Sequence, residues 1–197
     1  MKILAFTDLH GDLKRLGHLM NLIKLKKPDL LICAGDISWF GAKINPVMKK
    51  LDSINIPILI IPGNHESEEE IEDLAKKHKN LIDINKKIVE INNFQFFGFG
   101  SGGFSQKNIE FEKQFEKIKS KIKDNNKFIF VSHQPPYQTN LDKIQDEHVG
   151  SKSIRKFIEF TNPILVISGH IHESEHSEDK IKKSRLINPG SGEFITL

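Results

Sequence analysis

Two histidines stand one residue apart at His170 and His172, directly after the apolar run PILVISG. Asp8 and His10 have the same spacing after the run KILAFT. In an extended segment, residues i and i+2 point to the same side, so the members of each pair can reach one metal ion. On a helix this spacing would set the two side chains far apart around the axis. We therefore predict that both pairs lie in extended segments at strand ends.

Other apolar runs end in similar residues. Asp36 follows DLLICAG, Asn64 and His65 follow IPILIIPG, and His133 follows FIFVS. Ligands bind open α/β sheets beyond the carboxyl ends of the parallel strands, so these side chains are expected to meet there. Glycines before Asp36, Asn64 and His170 would let backbone and ligand approach closely. Each residue alone also fits a plainer role, as a helix cap or as an ordinary surface or core histidine.

The donor set favours borderline divalent metals. Asp, His and Asn without a thiol exclude a cysteine-type structural zinc site and suit Mn, Fe, Co, Ni or Zn, among which the sequence does not choose. These ligands overfill one tetrahedral site but can serve two ions about 3.5 to 4 Å apart if one aspartate, here Asp36, bridges them. The candidate ligands are Asp8, His10, Asp36, Asn64, His133, His170 and His172.

Such a centre suits phosphate esters. Two divalent cations, two carboxylates and one bridging hydroxide leave a formal charge of about +1, which attracts a phosphoryl oxygen. Asn64 would add an oxygen ligand without cancelling this charge.

Composition limits the class of protein. The chain has 197 residues, a net charge of +3, 38 % hydrophobic and 28 % charged residues, which predicts one globular domain over 1–197. The single cysteine, Cys33, fits a reducing compartment. Apolar runs shorter than roughly 18 residues predict no membrane span, and the absence of a signal-peptide pattern predicts a cytoplasmic protein. Dispersed lysines give no strong nucleic-acid signature.

The elements that must position these residues follow from the apolar runs. Helical spacing between the first three runs predicts a β-α-β-α-β unit with parallel strands. Asn92 and Asn93 predict a hairpin, and the segment SRLINPGSGEFITL predicts two strands about a Pro-Gly turn. The expected architecture is α/β, with one parallel sheet and a second sheet built from the hairpin and the C-terminal strands.

The motifs DLH, GD, GNHE, SHQPP and GHIH, in this order, resemble the signature of the calcineurin-like metallophosphoesterase superfamily, in its small single-domain prokaryotic type. The resemblance implies a four-layer α-β-β-α fold, in which two β-sheets pack as a sandwich flanked by helices. It also implies two ligand sets, Asp8, His10, Asp36 and His172 for one metal and Asp36, Asn64, His133 and His170 for the other.

Further roles rest on the same resemblance. It implies that Asn64 and His65 contact the phosphate and that His65 protonates the leaving oxygen, a task suited to a histidine near neutrality. Glu66 stands where many members have Asp, and it either orients His65 or caps the acidic helix that follows. His148 either contacts substrate or is a loop residue before a helix capped by serine.

The expected function is hydrolysis of a small phosphate ester by in-line attack of a metal-bridging hydroxide. A phosphodiester is favoured because small members of the superfamily often act on diesters or cyclic nucleotides, so a nucleotide is among the candidate substrates. The alternatives are a phosphomonoesterase, a nuclease, or a binding module that keeps only the fold. Trp39, Phe40 and Tyr137 could form a substrate wall or stack on a base, or be ordinary core or rim residues.

Overall fold

The computed structural model describes residues 1–42, 44–100, 103–123 and 127–197. Within these ranges the helices are α1 (Leu13–Lys26), α2 (Ile44–Asp52), α3 (Glu68–Lys77), α4 (Ile109–Ile118) and α5 (Lys152–Thr161). The strands are β1 (Lys2–Phe6), β2 (Leu30–Cys33), β3 (Ile58–Ile60), β4 (Leu81–Asp83), β5 (Ile88–Ile91), β6 (Phe94–Phe99), β7 (Phe128–Ser132), β8 (Lys143–Ile144), β9 (Glu147–His148), β10 (Leu165–Ser168), β11 (Glu178–Ile181), β12 (Ser184–Ile187) and β13 (Glu193–Thr196).

Most strands belong to two large sheets. The first has the order β13-β1-β2-β3-β4, with β1 to β4 parallel and β13 antiparallel to β1. The second has the order β11-β12-β10-β7-β6-β5, in which the four central strands are parallel and each edge strand is antiparallel to its neighbour. Strands β8 and β9 form a separate short hairpin.

The prediction that all the parallel strands share one sheet is wrong. β7 and β10 pair with each other in the second sheet, and β13 leaves its neighbour β12 to join the first. Both sheets carry apolar strands covered on two faces, so the strand sequences do not reveal the sheet to which each belongs. The predicted hairpin is confirmed, because Asn92 and Asn93 turn between β5 and β6 with φ of 51° and 65°.

Three clusters of buried apolar side chains define the layers. Helices α1, α2 and α3 cover one face of the first sheet, and α4 and α5 cover one face of the second. Between the sheets, Ile32 and Leu59 of the first pack with Val131 and Ile167 of the second. The predicted sandwich of two sheets flanked by helices is therefore confirmed. Among the described residues, no helix is both long and apolar enough to cross a bilayer.

Side-chain caps fix where several helices begin. Asp12 accepts hydrogen bonds from the N–H groups of Lys14 and Arg15 and so starts α1. Ser67 and Glu70 form a reciprocal capping box at the start of α3. These caps end the loops that follow β1 and β3, so those loops are short and held at both ends.

Candidate metal centre

Loops that follow β1, β2, β3, β7 and β10 bring the candidate ligands together. The Asp8 N–H donates to the Gly35 carbonyl oxygen over 3.0 Å, which joins the loops after β1 and β2. The ring of His133, which follows β7 in the second sheet, places Nδ1 2.8 Å from the Ala34 carbonyl oxygen of the first. The candidate site therefore spans the ends of both sheets.

Asp8, His10 and His172 form a first group of converging atoms. The Nε2 atoms of His10 and His172 lie 3.0 Å apart. Asp8 Oδ1 lies 3.5 Å from His172 Nε2 and 3.7 Å from His10 Nε2. Residues separated by 162 positions thus point their ligand atoms at one another.

Asp36 lies between this group and a second one. Its Oδ2 is 3.9 Å from His10 Nε2 and 3.4 Å from His133 Nε2. His133 Nε2 also lies 3.0 Å from Asn64 Oδ1, and the ring centroids of His133 and His170 are 5.0 Å apart. The structure therefore brings together all the residues that the sequence proposed as ligands.

Buried polar atoms without partners, and the spacing of the ligand atoms, show that the candidate ligands fit divalent ions. Among the described residues, buried Asp8 Oδ1 and His170 Nε2 have no hydrogen-bond partner, although buried polar atoms are normally paired. In three sets of residues, the ligand atoms of each set lie within 4.8 Å of one another. These sets are Asp8 with His10 and His172, His10 with Asp36 and His65, and Asp8 with Asp36 and His133. Carboxylate oxygens and imidazole nitrogens are a donor set for borderline divalent metals.

The electrostatics of the site keep its carboxylates ionised. Burial acts to raise the pKa of Asp8, but His172, whose Nε2 lies 3.5 Å from Asp8 Oδ1, and the charge of His133 outweigh it and hold this pKa well below its usual range. Burial also acts to raise the pKa of Asp36, but the neighbouring His133 outweighs burial and lowers this pKa.

The histidines of the site have opposite pKa shifts. Burial acts to lower the pKa of His133, yet its hydrogen bond and charge interaction with Asp36 raise this pKa to about 9. Burial, with the nearby charge of His133, lowers the pKa of His170 to about 4. A neutral imidazole is the form that binds a metal, and among the described residues His170 Nε2 has no hydrogen-bond partner.

The backbone at these positions differs from the prediction. Asp8, His10 and His170 have φ of 53°, 47° and 72°, so the two pairs do not lie in extended segments. Left-handed backbone at residues other than glycine is uncommon and clusters at functional sites. The side chains converge because the loops turn, and Leu9, between Asp8 and His10, is buried.

Two glycines confirm the prediction of close approach. A Cβ on Gly63 would lie 1.9 Å from Asp36 Oδ1. A Cβ on Gly169 would lie 2.0 Å from Thr7 Oγ1 and 2.5 Å from Asp8 Oδ2. Any side chain at either position would displace a carboxylate of the candidate centre.

Glu66 has a role that neither of its two predicted roles describes. The buried carboxylate accepts hydrogen bonds from the N–H groups of Asp36, Gly63 and Ser38 over 2.9 to 3.1 Å. Ser67, rather than Glu66, caps α3. Burial raises the pKa of Glu66. Glu66 therefore ties the loop after β2 to the loop after β3.

Sequence reasoning missed Arg15, Glu175 and Thr7. Arg15 donates from Nη1 to the Asp8 carbonyl oxygen over 3.0 Å and from Nη2 to both carboxylate oxygens of Glu175 over 2.6 and 2.9 Å. The Thr7 hydroxyl donates to Asp8 Oδ2 over 2.7 Å. In sequence Arg15 is one of many basic helix residues, and no local pattern indicates its partner.

His148 lies outside the converging group. Its Nδ1 is 2.6 Å from Oδ1 of the buried Asp142, and α5 is capped by Ser151, which accepts from the Ile154 N–H over 3.2 Å. The serine cap agrees with the plainer of its two predicted roles, but His148 ends the short strand β9 and is not a loop residue. A contact between His148 and substrate stays a prediction.

A cavity of about 340 Å³ opens over the candidate ligands. Its lining includes His10, Asp36 and His170 of the candidate centre and the aromatic side chains of Trp39 and Phe104. In the part of the chain that the structure describes, neither lysine nor arginine lines this cavity. The cavity has the size of a small-molecule site and connects directly to the ligand atoms.

Fold and site together define an α/β protein of two packed sheets with a candidate metal centre between their strand ends. The sequence profile described as calcineurin-like phosphoesterase matches residues 1–174. The chain belongs to this family, and hydrolysis of phosphoric esters is its reaction class. The predicted resemblance is confirmed.

The chain is also similar to individual proteins. The chain is 36 % identical to the uncharacterized protein MJ1162 of Methanocaldococcus jannaschii, over 99 % of this chain and 90 % of that protein. It is 25 % identical to a probable glycerophosphodiester phosphodiesterase of Arcobacter nitrofigilis, over 84 % of this chain but 64 % of that protein. The solved structure of TT1561 of Thermus thermophilus has a similar fold, with a TM-score of 0.77 at 17 % identity, over 96 % of this chain and 88 % of that one.

Proposed function

We propose that the chain is a dinuclear metal-dependent phosphodiesterase. The position of Asp36 carries this proposal, because its Oδ2 lies 3.4 Å from His133 Nε2 and 3.9 Å from His10 Nε2, between the two ligand groups. In a two-metal site, Asp36 would be the carboxylate that both ions share. One ion would bind Asp8, His10, Asp36 and His172, and the other would bind Asp36, Asn64, His133 and His170.

Divalent ions held in this way supply Lewis acidity for the phosphoryl oxygen and lower the pKa of bound water to about 7. The remaining tasks fall to side chains of the protein. Asn64 lines the cavity beside the ligand atoms and can contact a phosphate oxygen. Because the cavity lies over the ligand atoms, a phosphate ester would bind there, beside Asp36 and Asn64.

His65 has the position expected of a general acid. It lines the cavity, and its Nε2 lies 3.7 Å from Asp36 Oδ2. Its backbone N–H donates to Asp36 Oδ1 over 2.9 Å, and the rings of Trp39 and Phe40 lie 4.6 and 4.2 Å from its ring. These contacts hold the imidazole where it can give a proton to the departing alcohol oxygen.

The charge of the cavity favours a diester over a monoester. A monoester carries a second negative charge near neutral pH, and among the described residues no lysine or arginine of the cavity wall would neutralise it. The carboxylate of Glu173 also lines the cavity and would repel that charge. A diester carries one charge, which the ions alone can balance. The name of the Arcobacter nitrofigilis relative is consistent with this preference.

The test compares two esters with one leaving group, methyl p-nitrophenyl phosphate and p-nitrophenyl phosphate. Metal-stripped protein is assayed after addition of Mn²⁺, Co²⁺, Ni²⁺, Zn²⁺ or Mg²⁺, beside the variant Asp36→Ala. We expect turnover that requires metal, a higher kcat/KM for the diester, and loss of both in Asp36→Ala. A higher kcat/KM for the monoester would overturn the diester preference, and no turnover with any metal would overturn the proposal of an enzyme.

A further inference from the structure

Three aromatic side chains near the candidate centre are exposed, whereas most phenylalanines lie in the core. Trp39, Phe40 and Phe104 are 56 %, 69 % and 61 % exposed. Trp39 and Phe40 lie between β2 and α2, and Phe104 lies between β6 and α4. Exposed apolar surface grouped around one cavity indicates a binding surface, since scattered single residues would need no explanation.

Two of these side chains flank the place where a phosphate would bind. The ring of Trp39 lies 4.6 Å from the ring of His65 and 5.3 Å from that of His10. The ring of Phe104 lies 4.8 Å from that of His170. Both rings line the cavity of about 340 Å³ over the candidate ligands. We call Trp39 and Phe104 the aromatic rim.

We propose that the aromatic rim determines specificity by stacking with a planar ring on one alcohol of the phosphodiester, as in a nucleoside. This inference rests on the proposed phosphodiesterase function. Flat aromatic side chains bind nucleobases through their π-faces, with little dependence on which base is present. The rim lies beside the candidate centre, so a nucleoside ester with its phosphate over the ligand atoms would place its base against the rim.

The size of the cavity favours this occupant over a long alkyl chain. About 340 Å³ is near the lower end of small-molecule sites, which suits one phosphate and one compact planar group. Ile144 adds apolar surface to the same wall. A nucleoside ester therefore places its charged phosphate over the ligand atoms and its uncharged ring against the rim.

The kinetic test uses two diesters that differ only in the base. Adenosine 5′-(methyl phosphate) is compared with the 5-(methyl phosphate) of methyl riboside, which has the same reacting phosphate. Hydrolysis is followed by ³¹P NMR. We expect the base to raise kcat/KM on the order of tenfold. This ratio should fall toward one in Trp39→Ala and in Phe104→Ala and should largely survive in Trp39→Phe.

The ratio separates ring binding from a structural role of the rim. Loss of packing against His65 or His170 would lower kcat/KM for both diesters and leave their ratio unchanged. Phe160→Ala is the matched control, because Phe160 is 65 % exposed on α5 and does not line the cavity. We expect that control to keep the wild-type ratio.

A binding measurement keeps this inference separate from the proposed activity. Trp39 is the single tryptophan of the chain, so its fluorescence reports directly on the rim. Adenosine and methyl riboside, which carry no phosphate charge, are titrated into the protein with Mn²⁺ and without metal. We expect saturable quenching by adenosine alone and weaker quenching in Phe104→Ala.

The outcomes distinguish the two proposals. A ratio near one for the wild-type protein, together with equal fluorescence responses to adenosine and methyl riboside, would overturn the role of the rim, while turnover of methyl p-nitrophenyl phosphate still supported a phosphodiesterase. Turnover of no ester with any metal, together with quenching by adenosine, would overturn the proposed function and leave a nucleoside-binding rim.

Discussion

Asp36 uses its two carboxylate oxygens for different purposes. Oδ1 accepts the His65 N–H over 2.9 Å and so anchors the loop after β3. Oδ2 points at His10, His65 and His133 over 3.4 to 3.9 Å. One side chain thus holds a neighbouring loop and presents a ligand atom, so substitution of Asp36 removes both an anchor and a candidate ligand.

The role of His65 makes a prediction about the leaving group. In His65→Gln, kcat/KM for a diester with an alkyl leaving group should fall by about 10² to 10⁴, because a poor leaving group needs the proton. With p-nitrophenol as the leaving group the fall should be much smaller. Kinetics on both diesters, together with the bound-metal content, measure this effect.

His18→Gln is the matched control, because His18 is exposed on α1. That variant should keep the wild-type rates on both diesters. Equal losses for both leaving groups in His65→Gln would contradict the role as a general acid, and loss of bound metal would assign His65 to the metal instead.

The candidate ligands could be predicted from the sequence, but the residues that hold their loops in place could not. The candidate ligands are unusual polar residues after apolar strands, and this signal is local. The bond from Arg15 to Glu175 joins residues 160 positions apart, and only the folded chain reveals it. The same holds for Glu66, whose three backbone donors come from two different loops.

At the scale of elements, the loops after the strands contain left-handed backbone conformations that their sequences do not predict. Asp8, His10, Asp36 and His170 all have positive φ although none is glycine. Such backbone costs about 1 to 3 kcal/mol per residue and persists only where its surroundings enforce it. Contacts between loops, such as the bond from the Asp8 N–H to the Gly35 carbonyl oxygen, provide that enforcement.

The loop after β10 gives a prediction at this scale. In Gly169→Ala the new Cβ would lie 2.0 Å from Thr7 Oγ1 and 2.5 Å from Asp8 Oδ2. We expect a loss of about 1 to 3 kcal/mol in the free energy of unfolding, as for other overpacked sites. Metal affinity should fall as well, because Asp8 must move. Urea denaturation and metal titration measure the two effects.

Gly17→Ala is the matched control for that substitution. Gly17 lies within α1, and a Cβ there would meet no atom within 4 Å. Alanine should raise the free energy of unfolding by about 0.5 to 1 kcal/mol, because it is the better helix former. Similar effects of the two substitutions would show that close approach at Gly169 does not limit the fold.

At the scale of the whole molecule, the candidate centre joins two sheets that otherwise meet through apolar packing. Asp8 and Asp36 follow strands of the first sheet, and His133 and His170 follow strands of the second. The strands themselves could be predicted from their apolar runs. Their division between two sheets could not, because it depends on pairings between distant segments. The single domain over 1–197 and the cytoplasmic location stay predictions.

A centre of this kind should stabilise the whole fold when metal binds. Metal at 100 times its Kd should add about 2.7 kcal/mol to the free energy of unfolding. For a chain of this length, Tm should then rise by roughly 5 to 11 °C. Thermal denaturation with Mn²⁺ or Zn²⁺, and with a chelator, measures the shift. In Asp36→Asn the shift should be much smaller, and an equal shift would place the stabilising metal elsewhere.

Cys33, the last residue of β2 and the single cysteine of the chain, is fully buried, and burial raises the pKa of its thiol. Thiol reagents attack the thiolate, so the folded interior protects this group from them. The rate at which a thiol reagent labels Cys33 therefore measures how often the first sheet opens transiently. The Cys33 thiol is thus a built-in chemical probe of local opening, two residues before the turn that leads to Asp36.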